Sequence, residues 1–248
     1  MPMLASIDDV QAIERLHVRA WPALQTAVVC GWLWRYSGGG SQRANSVSTV
    51  QFSGDDPVAA LDEVEARYRA RGAPIRIHTY DLTAPHGLID LLQARGYRES
   101  EATATMVKPV TARELPMDIE IADAGDAAWR AIYLGAITEN RRAINARILD
   151  AIPPPYAWFS CRRAGRTIST GLCVADGDLA VVECMATGAD ARRQGGAQAV
   201  LAGIETWAAM RGVRVLALQA VAGNLPAIAL YRGFGFEPVA TNRFWVKN

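Results

Sequence analysis

Residues 185–201 read MATGADARRQGGAQAVL and predict a strand that runs through a glycine-containing loop into an amphipathic helix. Backbone N–H groups at the start of a helix have no acceptor within the helix, and the positive end of the helix dipole lies there. Gly195 and Gly196 let an anion approach the backbone without a Cβ in the way, while Arg192 and Arg193 add positive charge. The loop therefore predicts a phosphate-like anion site, with a simple helix-entry loop as the alternative.

The elements around this loop predict a mixed α/β fold. Two helices and three strands precede the loop, and the helix that it opens is followed by a strand, a helix and a last strand. The helices are expected at 125–136, 139–151, 196–210 and 226–232, and the strands at 156–163, 168–175, 179–187, 213–218 and 242–247.

The first half of the chain repeats this pattern. Residues 89–99, IDLLQARGYRE, align with residues 228–237, IALYRGFGFE, and Met-Val-Lys at 106–108 aligns with Trp-Val-Lys at 245–247. The first half is expected to contain helices at 8–20, 57–71 and 86–95 and strands at 28–36, 44–52, 75–80 and 101–108. We therefore predict two copies of one fold, at residues 1–110 and 117–248.

Taken together with the residues that follow it, the loop resembles the cofactor site of the GNAT superfamily of N-acetyltransferases. Residues 192–197, Arg-x-x-Gly-x-Ala, match the family's pyrophosphate signature, Arg/Gln-x-x-Gly-x-Gly/Ala, and residues 224–236 supply Asn, Tyr and Gly-Phe in the family's order. The resemblance covers residues 118–248, and the repeat resembles members with two tandem copies. It implies two GNAT-like domains, each a mixed, mostly antiparallel twisted sheet flanked by helices.

The resemblance also implies residue roles. Backbone N–H groups from Arg193 to Gln198 would bind the pyrophosphate of acetyl-CoA, and the strand end at 185–187 would pair with the pantetheine arm and thioester. Asn224 would contact the same arm, and the Tyr231 hydroxyl would protonate the departing thiolate, with a core tyrosine as the alternative. The implied cofactor-binding set is Met185, Ala186, Thr187, Arg192, Arg193, Gln194, Gly195, Gly196, Ala197, Gln198, Asn224 and Tyr231.

Tyr231 and Glu183 are the candidate catalytic residues. With a phenol pKa near 10 and a thiol pKa near 8.5, proton transfer from Tyr231 to a thiolate is uphill by only about 2 kcal/mol. An amine acceptor is mostly protonated at pH 7, so a base or a water chain must remove its proton. Glu183 is the candidate base because Ala and Val neighbours would raise its pKa, with a solvent-facing or ion-paired residue as the alternative. Glu205 is expected on the solvated face of its helix.

The first half is predicted to be a degenerate copy. Residues 52–57, Phe-Ser-Gly-Asp-Asp-Pro, align with the anion loop, but two aspartates repel a pyrophosphate and proline has no N–H group. Segment 31–46 is aromatic and then glycine-rich. We expect it to present Trp34, Tyr36, Arg43 or Asn45 to a cleft between the halves, with sheet core and a mobile hairpin turn as the alternative.

Composition argues against several other functions. The 248 residues carry 26 Lys and Arg against 25 Asp and Glu, so there is no basic excess to attract nucleic acid or an anionic membrane. The longest uncharged segment, 215–231, contains polar residues and is too short for a membrane span. The first 16 residues carry two aspartates where a secretory signal needs basic residues and an apolar run, so we expect a cytoplasmic protein.

Cysteines and histidines give no metal-binding pattern. The three histidines, at 17, 78 and 86, lack ligand spacing with each other or with cysteine, so no metal site is expected. The four cysteines, at 30, 161, 173 and 184, lie in or beside apolar segments and are expected to be small reduced core residues.

The sequence thus predicts an enzyme that moves the acetyl group of acetyl-CoA directly to a primary amine, without a metal or an acyl-enzyme. The acceptor is expected to be a small molecule or a peptide amine of open identity, and a longer acyl chain is a variant of the same reaction. The competing hypothesis is a non-catalytic acyl-CoA-binding or partner-binding module. The oligomeric state stays open, with a homodimer as one alternative.

Overall fold

Strands from both halves of the chain join in one sheet in the computed structural model, which describes residues 7–247. Within this range the strands are Gln25–Val29 (β1), Trp32–Tyr36 (β2), Val47–Ser48 (β3), Ile75–Tyr80 (β4), Arg98–Pro109 (β5), Ile119–Ala122 (β6), Tyr156–Arg163 (β7), Arg166–Asp176 (β8), Leu179–Thr187 (β9), Val215–Val221 (β10) and Glu237–Lys247 (β11). The helices are Ile7–Ala20 (α1), Pro57–Arg69 (α2), Leu88–Ala94 (α3), Ala127–Gly135 (α4), Glu139–Asp150 (α5), Gly196–Met210 (α6) and Leu225–Gly233 (α7).

The order of strands across the sheet is β1-β2-β3-β4-β11-β5-β10-β9-β8-β7-β6. The two halves exchange their last strands, because β5 pairs antiparallel with β10 while β11 pairs antiparallel with β4. Between them, β5 and β11 pair with each other. The predicted domain boundary between residues 110 and 117 falls in the connection from β5 to β6, and the division into two domains stays a prediction.

Helices cover both faces of the sheet. On the strands of the second half, α6 and α7 bury one apolar cluster, and α1, α4 and α5 bury another on the opposite face. In the first half, α2 and α3 pack on β1, β2 and β4. Close approach of α6 requires a glycine, because a Cβ on Gly171 of β8 would lie 2.6 Å from Cγ1 of Val200. No helix within residues 7–247 combines the length and the apolar character needed to cross a membrane.

The element predictions hold best in the second half, where the bounds of α5, β7, β9 and α6 agree to within one residue. In the first half the strand expected at 28–36 is a hairpin, because Cys30 and Gly31 adopt φ values of 47° and 85° and form a tight turn. The strand expected at 44–52 is reduced to β3, since a 3₁₀ turn occupies Arg43–Asn45. Strand β6 has no counterpart among the predictions.

The cysteine prediction is correct for three residues and wrong for one. Cys161, Cys173 and Cys184 are buried and free, whereas Cys30 is exposed because it lies at the tip of the β1–β2 hairpin.

Candidate functional site

Two neighbouring parallel strands separate partway along the sheet. Strands β9 and β10 pair over four residues each, and the pairing ends at Val182 and Leu218. Beyond that point β10 stays paired with β5, while the register between β8 and β9 shifts and Cys184 adopts a φ of 56°. Such a bulge turns a strand aside. The segment at 185–187 therefore presents its backbone towards a gap, where an extended ligand can form strand-like hydrogen bonds.

The start of α6 is a second site for ligand binding. Gly195 is the N-cap, with a φ of 80°, and no side chain of the described chain caps this end. The N–H groups of the first turn are therefore available to an anion. Arg192 and Arg193 are exposed beside them, and a Cβ on Gly196 would lie 3.0 Å from Cβ of Ser169. The loop thus packs closely on β8 while its two arginines stay exposed, which fits a pyrophosphate.

The corresponding helix start in the first half, that of α2, is capped by the side chain of its N-cap residue. Asp56 Oδ1 accepts hydrogen bonds from the N–H groups of Val58 and Ala59, at 2.8 and 3.0 Å, and Pro57 begins α2. A carboxylate thus lies where a phosphate would need these donors.

Tyr231 projects from α7 into the apolar cluster beneath α6. It is 9% exposed, and its ring meets Phe236 edge-on at a centroid distance of 6.1 Å. The hydroxyl makes no hydrogen bond to another residue in the range 7–247. Burial, assisted by the charge of Glu183, raises the pKa of Tyr231 to about 12. Proton transfer to a thiolate with a pKa near 8.5 is then uphill by about 5 kcal/mol.

Asn224 lies at the exposed start of the same helix. Its Oδ1 accepts a hydrogen bond from Ala227 N at 3.3 Å, so the side chain caps α7. The amide nitrogen has no partner within the described chain. The predicted contact with the pantetheine arm stays a prediction.

The expectation that apolar neighbours raise the pKa of Glu183 is wrong. Burial alone would raise it, but Arg43 lowers the pKa to about 2 through its charge and two hydrogen bonds. Arg43 Nη1 donates to Oε1 at 2.7 Å and Nη2 to Oε2 at 2.6 Å, while His17 Nδ1 lies 3.3 Å from Oε1. The side chain is therefore the ion-paired residue of the alternative interpretation.

The segment that carries Arg43 is fixed in place. Asn45 makes four hydrogen bonds of 2.7–3.2 Å to backbone atoms of residues 37–41. The carbonyl oxygen of Gly40 accepts from Arg141 Nε and Asn145 Nδ2 of α5, both at 2.8 Å. The first half thus delivers a charged side chain to the point where the strands of the second half separate.

A cleft of about 540 Å³ lies between the two halves at this point. Arg43 and Asn45 line it from the first half, and Gln219, the first residue of β10 beyond the last pair with β9, lines it from the second. The prediction of a cleft residue is wrong for Trp34 and Tyr36. Trp34 is 2% exposed in the core of the first half, where its ring stacks on Tyr36 at 5.9 Å.

Glu205 is not on a solvated face. It is fully buried, where Lys108 Nζ donates to it, Arg113 Nε lies 2.6 Å away and Thr111 Oγ1 donates at 2.7 Å. The end of β5 and the segment after it cover this part of α6, and the helical pattern of the sequence gives no signal for that.

Glu14 of α1 is a buried residue that the sequence did not single out. It accepts hydrogen bonds from Thr105 Oγ1 and, at 2.7 Å, from Gln219 Nε2, which lines the cleft. Burial raises its pKa. The sequence signal is weak, because Glu14 and His17 lie one helical turn apart among ordinary helix residues.

Comparisons with known proteins bear on the whole chain. A family model described as "Probable histone acetyltransferase Rv0428c C-terminal" matches residues 7–245. The "Uncharacterized N-acetyltransferase YobR" of Bacillus subtilis (strain 168) is 26% identical over 256 residues, covering 97% of this chain and 100% of that protein.

Solved structures share the fold. A GCN5-related N-acetyltransferase from Kribbella flavida superposes with a TM-score of 0.69 at 18% identity, covering 96% of this chain and 95% of that one. A tandem GNAT protein from the clavulanic acid biosynthesis pathway gives a TM-score of 0.62 at 13% identity, covering 98% and 96%.

These findings confirm the resemblance to GNAT proteins and the mixed α/β fold with its mostly antiparallel sheet. The chain belongs to the family described as "Probable histone acetyltransferase Rv0428c C-terminal" and is an acetyltransferase of the GNAT superfamily.

Proposed function

We propose that the protein transfers the acetyl group of acetyl-CoA to the primary amine of a small molecule bound in the cleft between its halves. The observation that carries this proposal is a coincidence of position. The cleft is lined by Gln219 and Val221, in the part of β10 that no longer pairs with β9, and the uncapped start of α6 follows the end of β9 by one short loop. A donor and an acceptor can meet there.

The residues present fit the donor. The first-turn N–H groups of α6 and the exposed side chains of Arg192 and Arg193 would hold the pyrophosphate, and the backbone at 185–187 would hold the pantetheine arm. The amide nitrogen of Asn224, which has no partner within the described chain, would be a further donor to the pantetheine arm. When bound, acetyl-CoA supplies an acyl group activated as a thioester.

Tyr231 would act as an acid. A pKa of about 12 keeps the phenol protonated at neutral pH, so the hydroxyl has a proton to give but cannot accept one. The free-energy cost of this proton transfer, about 5 kcal/mol, would decrease if the bound complex stabilised the phenolate form of Tyr231. An apolar pocket alone does not stabilise a phenolate.

Glu183 is poorly suited to be the base. Direct proton transfer from an ammonium group with a pKa near 10 to a carboxylate with a pKa of about 2 is uphill by about 11 kcal/mol. We propose instead that Glu183 fixes Arg43 at the cleft and that water carries the amine proton away. This keeps Glu183 in the site as a positioning residue.

The charges of the cleft support a small acceptor. Arg43 is neutralised by Glu183, whereas Arg76 and Arg141, which also line the cleft, make no ion pair with any residue in the range 7–247. Among the described residues, Glu101 is the acidic side chain that lines the cleft together with them. The family description names a histone acetyltransferase, but a polycationic histone tail would be repelled by these arginines. An amine that carries an anionic group at its other end would be attracted to them.

Thermal melting with and without acetyl-CoA tests the donor site. Acetyl-CoA at about 100 times Kd should stabilise the folded chain by about 2.7 kcal/mol and raise Tm by roughly 5–11 °C. Gly195→Asp should abolish the rise, because a carboxylate would face the phosphate. Gly72→Asp is the matched control, since Gly72 also has a positive φ and open space around its Cβ. An unshifted wild-type Tm contradicts the proposal.

Release of free CoA with a panel of amines tests the acceptor. We expect turnover with small amines that carry a carboxylate, weaker turnover with their methyl esters, and none with a histone tail peptide. Preference for the peptide would contradict a small acceptor. Binding of acetyl-CoA without turnover of any amine class would favour the non-catalytic acyl-CoA-binding module.

A further inference from the structure

A second cavity, of about 490 Å³, lies away from the cleft and is lined mainly by the first half, with Ala151 and Pro153 from the second half. It forms between α1 and one face of β1, β2 and β3, because α1 packs on β8 and β9 and leaves that face open. Most of its wall is apolar, with Val18, Pro22, Val28, Leu33 and Val50. Among the residues from 7 to 247, its lining contains three arginines, at 15, 19 and 35, and neither aspartate nor glutamate.

Arg35 is a buried cation without an anion. Arg35 is only 1% exposed. Its guanidinium donates two hydrogen bonds to neutral oxygens of Ser46: Nε donates to the carbonyl oxygen at 3.2 Å, and Nη2 donates to the hydroxyl oxygen at 3.1 Å. Within residues 7–247 no carboxylate pairs with Arg35, and Nη1 donates to nothing. A guanidinium keeps its proton, so it cannot escape the cost of burial by becoming neutral. Burying Arg35 without an anionic partner is therefore unfavourable.

The rim of the cavity is also positive. Arg15 is exposed and makes no ion pair in the described chain. Arg19 is held by Asp176 at 3.0 Å and donates to the carbonyl oxygen of Pro154 at 2.7 Å. An occupant of this cavity therefore meets the charges of Arg35 and Arg15, which pair with no carboxylate of the described chain, together with apolar surface.

We propose that this cavity binds a small carboxylic acid anion with an apolar body, its carboxylate on Arg35 and its body along Val28, Leu33 and Val50. The carboxylate would accept the N–H groups that Nη1 leaves free, in the planar geometry that guanidinium and carboxylate share. Val28 is 72% exposed, so the body of such a ligand would cover apolar surface that now faces solvent. The volume lies within the usual range for small-molecule sites.

Calorimetric titration with octanoate and with 1-octanol tests the proposal in the full chain. Octanoate should bind, and 1-octanol, which has the same body without the charge, should bind at least tenfold more weakly. Equal binding of the two, or no octanoate binding at millimolar concentration, would overturn the proposal.

Two variants identify the site. Arg35→Met keeps much of the shape without the charge, and we expect it to weaken octanoate binding at least tenfold. Leu33→Trp fills the cavity while Arg35 stays in place, so it should have the same effect and carries the test if the methionine variant fails to fold. Arg214→Met, at an exposed arginine paired with Asp178, is the control and should bind as the wild type does. Octanoate binding that survives Leu33→Trp would place the ligand elsewhere and refute the inference.

Discussion

Arg43→Met removes both hydrogen bonds from the guanidinium to Glu183 and leaves a buried carboxylate with His17 as its remaining partner. The pKa of Glu183 is about 2 in the folded chain against an ordinary value of 4.5, a difference that corresponds to about 3 kcal/mol. Removing one partner of a buried ion pair typically costs about 3–5 kcal/mol. We therefore expect the free energy of unfolding at pH 7 to fall by about 3 kcal/mol and Tm by roughly 6–12 °C.

The loss should depend on pH with a definite sign. Because folding lowers the pKa of Glu183, the stabilisation from its ion pair is complete above about pH 4.5 and is lost as the pH falls towards about 2. In the variant, burial without Arg43 raises the pKa of Glu183, so the variant binds a proton on folding and gains stability as the pH falls. The difference between wild type and Arg43→Met should therefore be largest at pH 7 and shrink as the pH falls.

Urea unfolding of a double-mutant cycle measures the pair itself. Arg43→Met, Glu183→Gln and the double variant should show a coupling energy of about 3 kcal/mol, since the double variant no longer buries an unpaired charge. Arg214→Met breaks an exposed pair with Asp178 and should cost less than about 1 kcal/mol. Additive single effects, or a loss no larger than that of the control, would refute the reasoning.

Substitutions at three further positions separate catalysis, ligand contact and packing. Tyr231→Phe keeps the core ring but removes the hydroxyl, so the Tm shift with acetyl-CoA should stay while kcat falls by about 10²–10⁴-fold; full kcat would exclude the acid role. Asn224→Ala removes the cap bond to Ala227 and should cost about 1 kcal/mol in urea unfolding, and Asn224→Asp should restore that stability while both variants weaken acetyl-CoA binding. Gly171→Ala places a Cβ 2.6 Å from Cγ1 of Val200 and should lower the free energy of unfolding by about 1–3 kcal/mol, whereas unchanged stability would mean that α6 shifts freely.

The sequence predicted the features whose determinants are local. The glycine loop and the periodic apolar residues behind it predict α6 at 196–210, where the structure has it, because helix starts and helix faces depend on neighbours a few residues apart. The hairpin at Cys30 and Gly31 was not predicted, because the segment is apolar and lacks the Asn-Gly or Asp-Gly pair that indicates a tight turn.

Charged residues were harder to predict, because their partners come from the other half. Glu183 meets Arg43 from 140 residues away, and Glu205 meets Lys108 from 97 residues away. Periodicity shows which side of an element is apolar, but it contains no information about which distant segment covers a given carboxylate. Both errors have this origin.

The exchange of last strands has a consequence for how the chain is made. Strand β4 of the first half pairs with β11, so that Tyr80 faces Asn242, and β5 pairs with β10, so that Thr105 faces Gln219. At a synthesis rate of about 5–20 residues per second, β4 and β5 leave the ribosome several seconds to tens of seconds before β11 does. Throughout that interval the edges that β11 covers are open, so β4 and β5 can pair there with each other or with neighbouring nascent chains. We therefore expect the insertion of β11 between β4 and β5 to be a late step in the formation of the native sheet.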